Sequence, residues 1–206
     1  MTAHTPGSLA RQLWAAVRML LVMTALLGIG YPLVVTGVAQ VAFPHQADGS
    51  LLERDGRPVG SRLVGQSFEG RPEYFQSRPS AAGDGYDAMS SSASNLGPEH
   101  PDLLAAVEER RQAAAALDGT DPAEVAPDAL LASGSGLDPH ISPAYAAQQV
   151  ARVARERGLP EAEVRDLVEE HTAGRTLGFL GEPRVTVLEL NLALDAAAGT
   201  ARGQAD

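Results

Sequence analysis

The sequence predicts an α+β domain held outside the cytoplasm by one N-terminal transmembrane helix. Three observations predict it. Residues Met19 to Phe43 carry no charge, and at about 1.5 Å rise per residue such a run is long enough to cross a hydrocarbon core. Beyond Phe43 the chain turns polar, with strand-like pieces towards both ends and three helical patterns between them. Arg18 lies nearest the apolar run and the leader has no acidic residue, which places the N-terminus in the cytoplasm.

Composition narrows the chemistry. Net charge is −10; Arg11 and Arg18 are the only charged residues of the first 43, so the remainder carries −12. That disfavours nucleic acid and anionic lipid surfaces as partners. All 16 basic residues are arginine. A phosphate-binding P-loop, the kinase pattern and Schiff-base catalysis each require a lysine and are excluded. The absence of cysteine rules out disulfides, thiolate metal sites and a lipid-modified cysteine anchor.

Residues 1–18 form a leader whose second half extends the helix, with Trp14 at the membrane interface. Within the transmembrane span 19–43, Pro32 lacks an N–H and predicts a kink, and Gly28, Gly30 and Gly37 allow close approach of another helix. The run Gly28-Ile29-Gly30-Tyr31 lacks the final glycine of a potassium filter, and one helix cannot build a four-fold filter. A signal peptide cleaved after Gly37-Val38-Ala39 is the rival reading; the apolar run exceeds a typical signal core.

Residues 44–195 form the soluble domain. Asp48-Gly49 and Asp55-Gly56 mark turns in a connector, with extended pieces at Arg62–Val64 and Glu73–Gln76. Ser77 to Pro98 is rich in Ser, Gly and Pro, yet Tyr74, Phe75, Tyr86, Met89 and Leu96 recur as apolar anchors, which predicts an ordered loop rather than a linker. A helix spans Pro101 to Leu117, with Leu103, Leu104, Val107 and Leu117 inward, Glu108 to Arg111 in water and Gly119 as stop. A proline-interrupted stretch follows, with a short helical or extended piece at Asp128–Leu131. Ser142 caps a helix that Pro143 opens and Gly158 ends. Pro160 opens another, Glu161 to His171, closed by Gly174. Arg184–Asp195 alternates Val185 and Val187 with polar residues, slips phase, then alternates leucines; this predicts a strand with a bulge or one buried on both faces. Residues 196–206 read as a frayed tail.

Ser133, Ser135, Asp138 and His140 raise a membrane-anchored hydrolase as an alternative. The nucleophile-elbow pattern is missing and triad members normally lie far apart in sequence. Asp138-Pro139 more simply starts a turn. His45, His100, His140 and His171 lack metal-ligand spacing, and Glu108-Glu109 and Glu169-Glu170, being adjacent on helices, do not face each other. The loops SRPSAAGDGYDAMSSSASNLGP and SGSGLDPHISP offer glycine backbones and the Arg78 fork, suited to a small anion or a partner's carboxylate, or simply to tight packing.

The same loops carry a resemblance. YFQSRPSA (74–81), SNLGP (94–98), ASGSGLDPHISP (132–143) with AAQQVARVA (146–154), VTVLELNLALD (185–195) and YPLVVTGVAQ (31–40) resemble, in order and over nearly the whole chain, the C subunit family of bacterial Kdp potassium-transporting ATPases. Asp87 stands where the family pattern has Asn, and SSAS replaces a more glycine-rich segment. The resemblance implies a non-catalytic subunit in the cell membrane, partnered by a channel-like potassium subunit, a P-type ATPase subunit and a small single-helix subunit. It implies a chaperone that raises the ATPase subunit's affinity for ATP, with ATP reached through that subunit. Candidate partner or nucleotide contacts are Arg78, Ser80, Asn95, Ser133, Ser135, Asp138 and His140. Capping of the potassium entrance by the acidic domain is a further expectation.

Overall fold

The computed structural model describes residues 6–54 and 56–203, in two compact units, Met1–Leu51 and Leu52–Asp206.

The first unit is one long apolar helix. Helix α1 (Pro6–Ala25) runs through a π-helical turn (Leu26–Gly30) into α2 (Tyr31–Ala42). Within the stretch Leu9–Ala42 the most apolar 18-residue window has mean hydropathy 2.0 and none of it is buried within the chain, as a candidate membrane span should be. The expected disturbance at Pro32 takes the form of the widened turn just before it, where the Tyr31 N–H donates to the Leu26 carbonyl five residues back. Proline lacks the N–H and its ring crowds the carbonyl four residues earlier, so the chain opens by one residue per turn instead of clashing. A short α3 (Pro44–Ala47) follows, and Gln40 donates to Asp48 at 3.0 Å.

The second unit begins with a hairpin, β1 (Leu51–Arg54) and β2 (Arg57–Ser61). Gly56 lies at its turn with φ +71°, a left-handed conformation that glycine adopts without cost. The expected extended piece at Arg62–Val64 is instead a turn, whose Leu63 N–H donates to Ser61 Oγ at 3.1 Å. Loops then lead to α4 (Pro101–Asp118), α5 (Pro143–Arg157) and α6 (Glu161–Glu170). Ser142 Oγ accepts from the Tyr145 N–H at 3.0 Å, and Gly119 and Gly158 end their helices in the left-handed conformation, as the sequence predicts.

A three-stranded antiparallel sheet, β3 (His140–Ile141), β5 (Arg184–Thr186) and β4 (Thr172–Ala173), has β5 at its centre. Ile141 and Thr172 both pair with Val185. Mixed helix and sheet agree with the α+β class.

Further expectations fail. Arg184–Asp195 is a strand only to Thr186; from Val187 the chain is helix α7 (Val187–Gly203). Val187, Leu190, Asn191 and Leu194 are buried, a spacing of three, four and seven that belongs to a helix. The phase slip marks the strand's end, and the leucine alternation is incidental. The helical backbone carries on through the start of the 196–206 tail. On α4, Leu104 and Leu117 are exposed while Ala115 and Asp118 are buried. Arg110 and Arg111, expected in water, reach the carbonyls of Leu130 and Pro122.

Helix α5 organises the core. Tyr145, Ala146, Val150, Val153 and Ala154 are buried on it with Gln149 and Arg152, which are fully buried. These polar side chains fasten the segment 72–76, where the expected extended piece at Glu73–Gln76 begins instead as a turn and bend. Arg152 donates to Asp118 (2.7 Å), to Gln149 Oε1 (2.6 Å), to the Tyr74 carbonyl (2.9 Å) and to the Pro72 carbonyl. Gln149 accepts from the Gln76 N–H (2.6 Å) and donates to its carbonyl (3.3 Å). Asn191 of α7 does the same for Phe75, at 2.9 and 3.0 Å. Each amide thus pairs with both backbone groups of one residue, as an adjacent strand would. Phe75 is thereby buried in an irregular segment with both of its backbone groups paired.

Candidate functional site

The segment continues into the loop 77–98, which packs against the loop 131–142. Ser80 Oγ donates to the Gly136 carbonyl (2.6 Å) and accepts from the N–H groups of Ala82 (3.1 Å) and Tyr86 (2.8 Å). The Tyr86 hydroxyl donates to the Arg78 carbonyl at 2.7 Å. The Ser92 N–H and Ser91 hydroxyl both reach the Ser135 carbonyl, at 3.0 and 2.9 Å. The Gly65 N–H donates to the Leu137 carbonyl at 2.9 Å. Contact is close enough to demand glycine: at Gly136 (φ +67°) a Cβ would lie 2.6 Å from the Ser92 carbonyl oxygen and 2.7 Å from the Ala82 nitrogen.

Charge is concentrated where the loops meet. Arg78 pairs with Asp138 at 3.2 Å and donates to the Leu131 carbonyl at 3.3 Å; its Nε is buried without a hydrogen-bond partner. Asp138 also accepts from the His140 backbone N–H and contacts its Nδ1, both at 3.0 Å. Burial pushes the Asp138 carboxyl upward, but the His140 hydrogen bonds and the Arg78 charge outweigh it and hold the group below its ordinary value. Burial, with the Asp138 charge beside it, pushes the Tyr86 phenol up to about 12.

The structure therefore brings together Arg78, Ser80, Ser133, Ser135, Asp138 and His140. Asn95 does not join them: it is exposed, with φ +54°, and among the described residues its side chain donates to the Ala93 carbonyl two residues back. Asp87 accepts from the Met89 N–H at 2.9 Å through Oδ1, a role an asparagine oxygen fills equally, so the departure from the family pattern is neutral here. Met89, expected as an anchor, is 94% exposed.

The hydrolase alternative is not assembled. Ser135 Oγ accepts from the Leu137 N–H (3.1 Å) and meets Ser133 Oγ at 3.4 Å. The His140 ring is turned to Asp138, and no hydrogen bond joins it to Ser135 among the described residues. A nucleophile without a base within reach is not activated.

A cleft of about 540 Å³ lies beside α4, lined among others by Ser77, Arg78, Ser80, Tyr86, Arg110 and Tyr145. Its size is within the range of small-molecule sites, but both of its arginines are already engaged, with the buried Arg78 Nε left over. Arg78 serves Asp138 and the Leu131 carbonyl, Arg110 serves the Leu130 carbonyl, and Asp84 adds negative charge to the lining. This donor set does not fit a triphosphate, which needs several free cations or N–H groups.

Sequence reasoning missed Asp118, Gln149, Arg152 and Asn191, which hold the base of the loop. One signal was present: Gln149 and Arg152 fall on the apolar face of α5, four and seven residues from Tyr145.

Comparisons with known proteins agree with one another. The family model described as "KdpC: K+-transporting ATPase, c chain" matches residues 13–196. A relative from Kineococcus radiotolerans, named potassium-transporting ATPase KdpC subunit, is 63% identical over 191 residues, 93% of this chain and 96% of its own. Relatives of the same name from Sorangium cellulosum (58% over 183 residues, 88% of this chain, 96% of theirs) and Methylococcus capsulatus (57% over 185 residues, 88% and 95%) are similar along the same length.

Proposed function

The chain belongs to the KdpC family of potassium-transporting ATPase subunits, and from that premise we propose that it is a catalytic chaperone. As a member of that family it is an accessory subunit of potassium uptake. In the finer reading, it assists assembly of a channel-like potassium subunit, a P-type ATPase subunit and a small single-helix subunit. It raises the ATP affinity of the ATPase subunit and performs no chemistry itself.

The observation that carries this reading is the mutual bracing of the two loops. Ser80, Tyr86, Ser91, Ser135, Asp138 and Arg78 turn their polar groups on each other's backbone and charge. Side chains spent in this way hold a surface in one shape, which is what a docking face requires. ATP stays with the partner ATPase, since the cleft beside α4 does not suit it. With the N-terminus cytoplasmic and the domain outside, the effect on ATP crosses the membrane as a coupling free energy between sites.

Reconstituted complexes with and without this chain test the reading. The Michaelis constant for ATP should rise several-fold without it, and an unchanged constant would reject the chaperone role. Protease protection in sealed right-side-out vesicles tests the side: digestion of the domain from outside is expected, and protection would reverse the orientation.

A second reading rests on the −12 charge beyond the apolar run. An acidic domain over the potassium entrance concentrates cations locally. Neutralising exposed carboxylates should raise the apparent potassium constant at low salt; no change would remove this reading.

A further inference from the structure

Between β4 and β5 the chain forms a small hairpin, 175–182, that projects apolar side chains with nothing of its own to cover them. Leu177 is 79% exposed, Phe179 68% and Leu180 49%. The hairpin is nonetheless well fastened. Thr176 and Leu180 exchange both backbone hydrogen bonds at 2.9 Å, and Arg175 pairs with Glu182 across its base at 2.6 Å. Leu177 holds φ +55°, and Gly178 and Gly181 after it also take positive φ. A greasy tip fixed in shape and left in water stabilises nothing in the isolated domain.

We infer that this tip is an anchor that enters an apolar socket on a protein subunit of the same transport complex. The inference rests on the accessory-subunit reading. Charge decides against the bilayer surface. Interfacial segments flank their apolar residues with free lysine and arginine; this hairpin's arginine is paired with its own glutamate, and Glu169 and Glu170 precede it. Area decides against a dimer of this chain. Three large side chains exposed to this degree offer roughly 350 Å², taking about 150–250 Å² for a large side chain, against about 800 Å² per partner in a stable independent complex. So small an apolar contact is useful where other contacts already hold the partners together, as in an assembly with a membrane anchor.

The test uses the full chain co-expressed with the other subunits in its native membrane. A photo-crosslinking residue replaces Phe179; a control replaces Glu109, exposed on α4. The Phe179 position should yield an adduct with the potassium or ATPase subunit, identified by mass spectrometry, about tenfold above the control. Phe179→Asp should lower recovery of the assembled complex about tenfold, as loss of a central contact does, at an unchanged membrane level of the chain. Adducts to lipid, to a second copy of this chain or to no protein, with the complex intact, would overturn the anchor alone. If the unsubstituted chain co-purifies with no potassium-transport subunit, the accessory reading falls and the anchor with it.

Discussion

Two stretches of irregular backbone in this domain are fastened by side chains, and they differ in depth. Segment 72–76 lies against fully buried Gln149, Arg152 and Asn191. The loop pair above it is held by Arg78, Asp138 and His140, whose side chains are 26–32% exposed. Hydrogen bonds of similar length thus have different worth. In the interior, a lost partner leaves a donor or charge that water cannot reach. At the surface, water replaces it and salt screens it. The lower stretch sets whether the domain folds; the upper sets what it presents.

The strongest way to break that contrast is Asp118→Ala. It strips the ionic partner from an arginine that is fully buried, and should cost about 3–5 kcal/mol in urea denaturation of the full chain in detergent; a loss below about 1 kcal/mol would put the two stretches on one footing. Asn191→Ala comes next. It orphans the N–H and carbonyl of fully buried Phe75, with an expected cost of about 2–3 kcal/mol by the same measurement. Gly136→Ala drives a methyl into the Ser92 carbonyl at a left-handed position. About 1–2 kcal/mol is expected, together with faster limited proteolysis within 77–98. Arg78→Ala should cost no more than about 1 kcal/mol yet raise the partner ATPase's Michaelis constant for ATP. A large stability loss with unchanged kinetics would make Arg78 part of the lower stretch.

The smallest effect is expected from pH. Burial raises the Asp195 carboxyl, but hydrogen bonds from Arg157, Tyr74 and Arg54 outweigh it and hold the group low, as His140 and Arg78 do for Asp138. Groups depressed in the folded state stabilise it fully above their unfolded value of 3.8, and that contribution is lost as pH falls through the folded values. The denaturation midpoint should therefore hold steady down to about pH 5 and decline below it, and Asp195→Asn should flatten the decline.

Much of the fold was legible where local chemistry is decisive. Ser142 and Gly158 bracket α5, and Gly119 stops α4, because caps act on the residues beside them. The hairpin at Gly56 was not legible: Pro58 and Gly60 weaken β2 as a strand pattern, so only its turn stood out. Helix α7 was misread because four leucines two apart satisfy a strand's period while Val187, Leu190, Asn191 and Leu194 satisfy a helix's. Six candidate residues, from Arg78 to His140, do converge. Their partners, such as the Gly136 carbonyl for Ser80 and the Leu131 carbonyl for Arg78, are backbone atoms more than fifty positions away, which no local pattern encodes.

The widened turn ahead of Pro32 has a consequence of its own. With the Tyr31 N–H given to Leu26 and no hydrogen on the Pro32 nitrogen, the Leu27 oxygen has lost both donors that the helix would normally turn towards it. In a hydrocarbon layer an oxygen in that state draws in whatever hydroxyl, amide or water comes near. Midway along an otherwise featureless greasy cylinder, one atom is thirsty, and a neighbour able to slake it would fix the cylinder's rotation and depth.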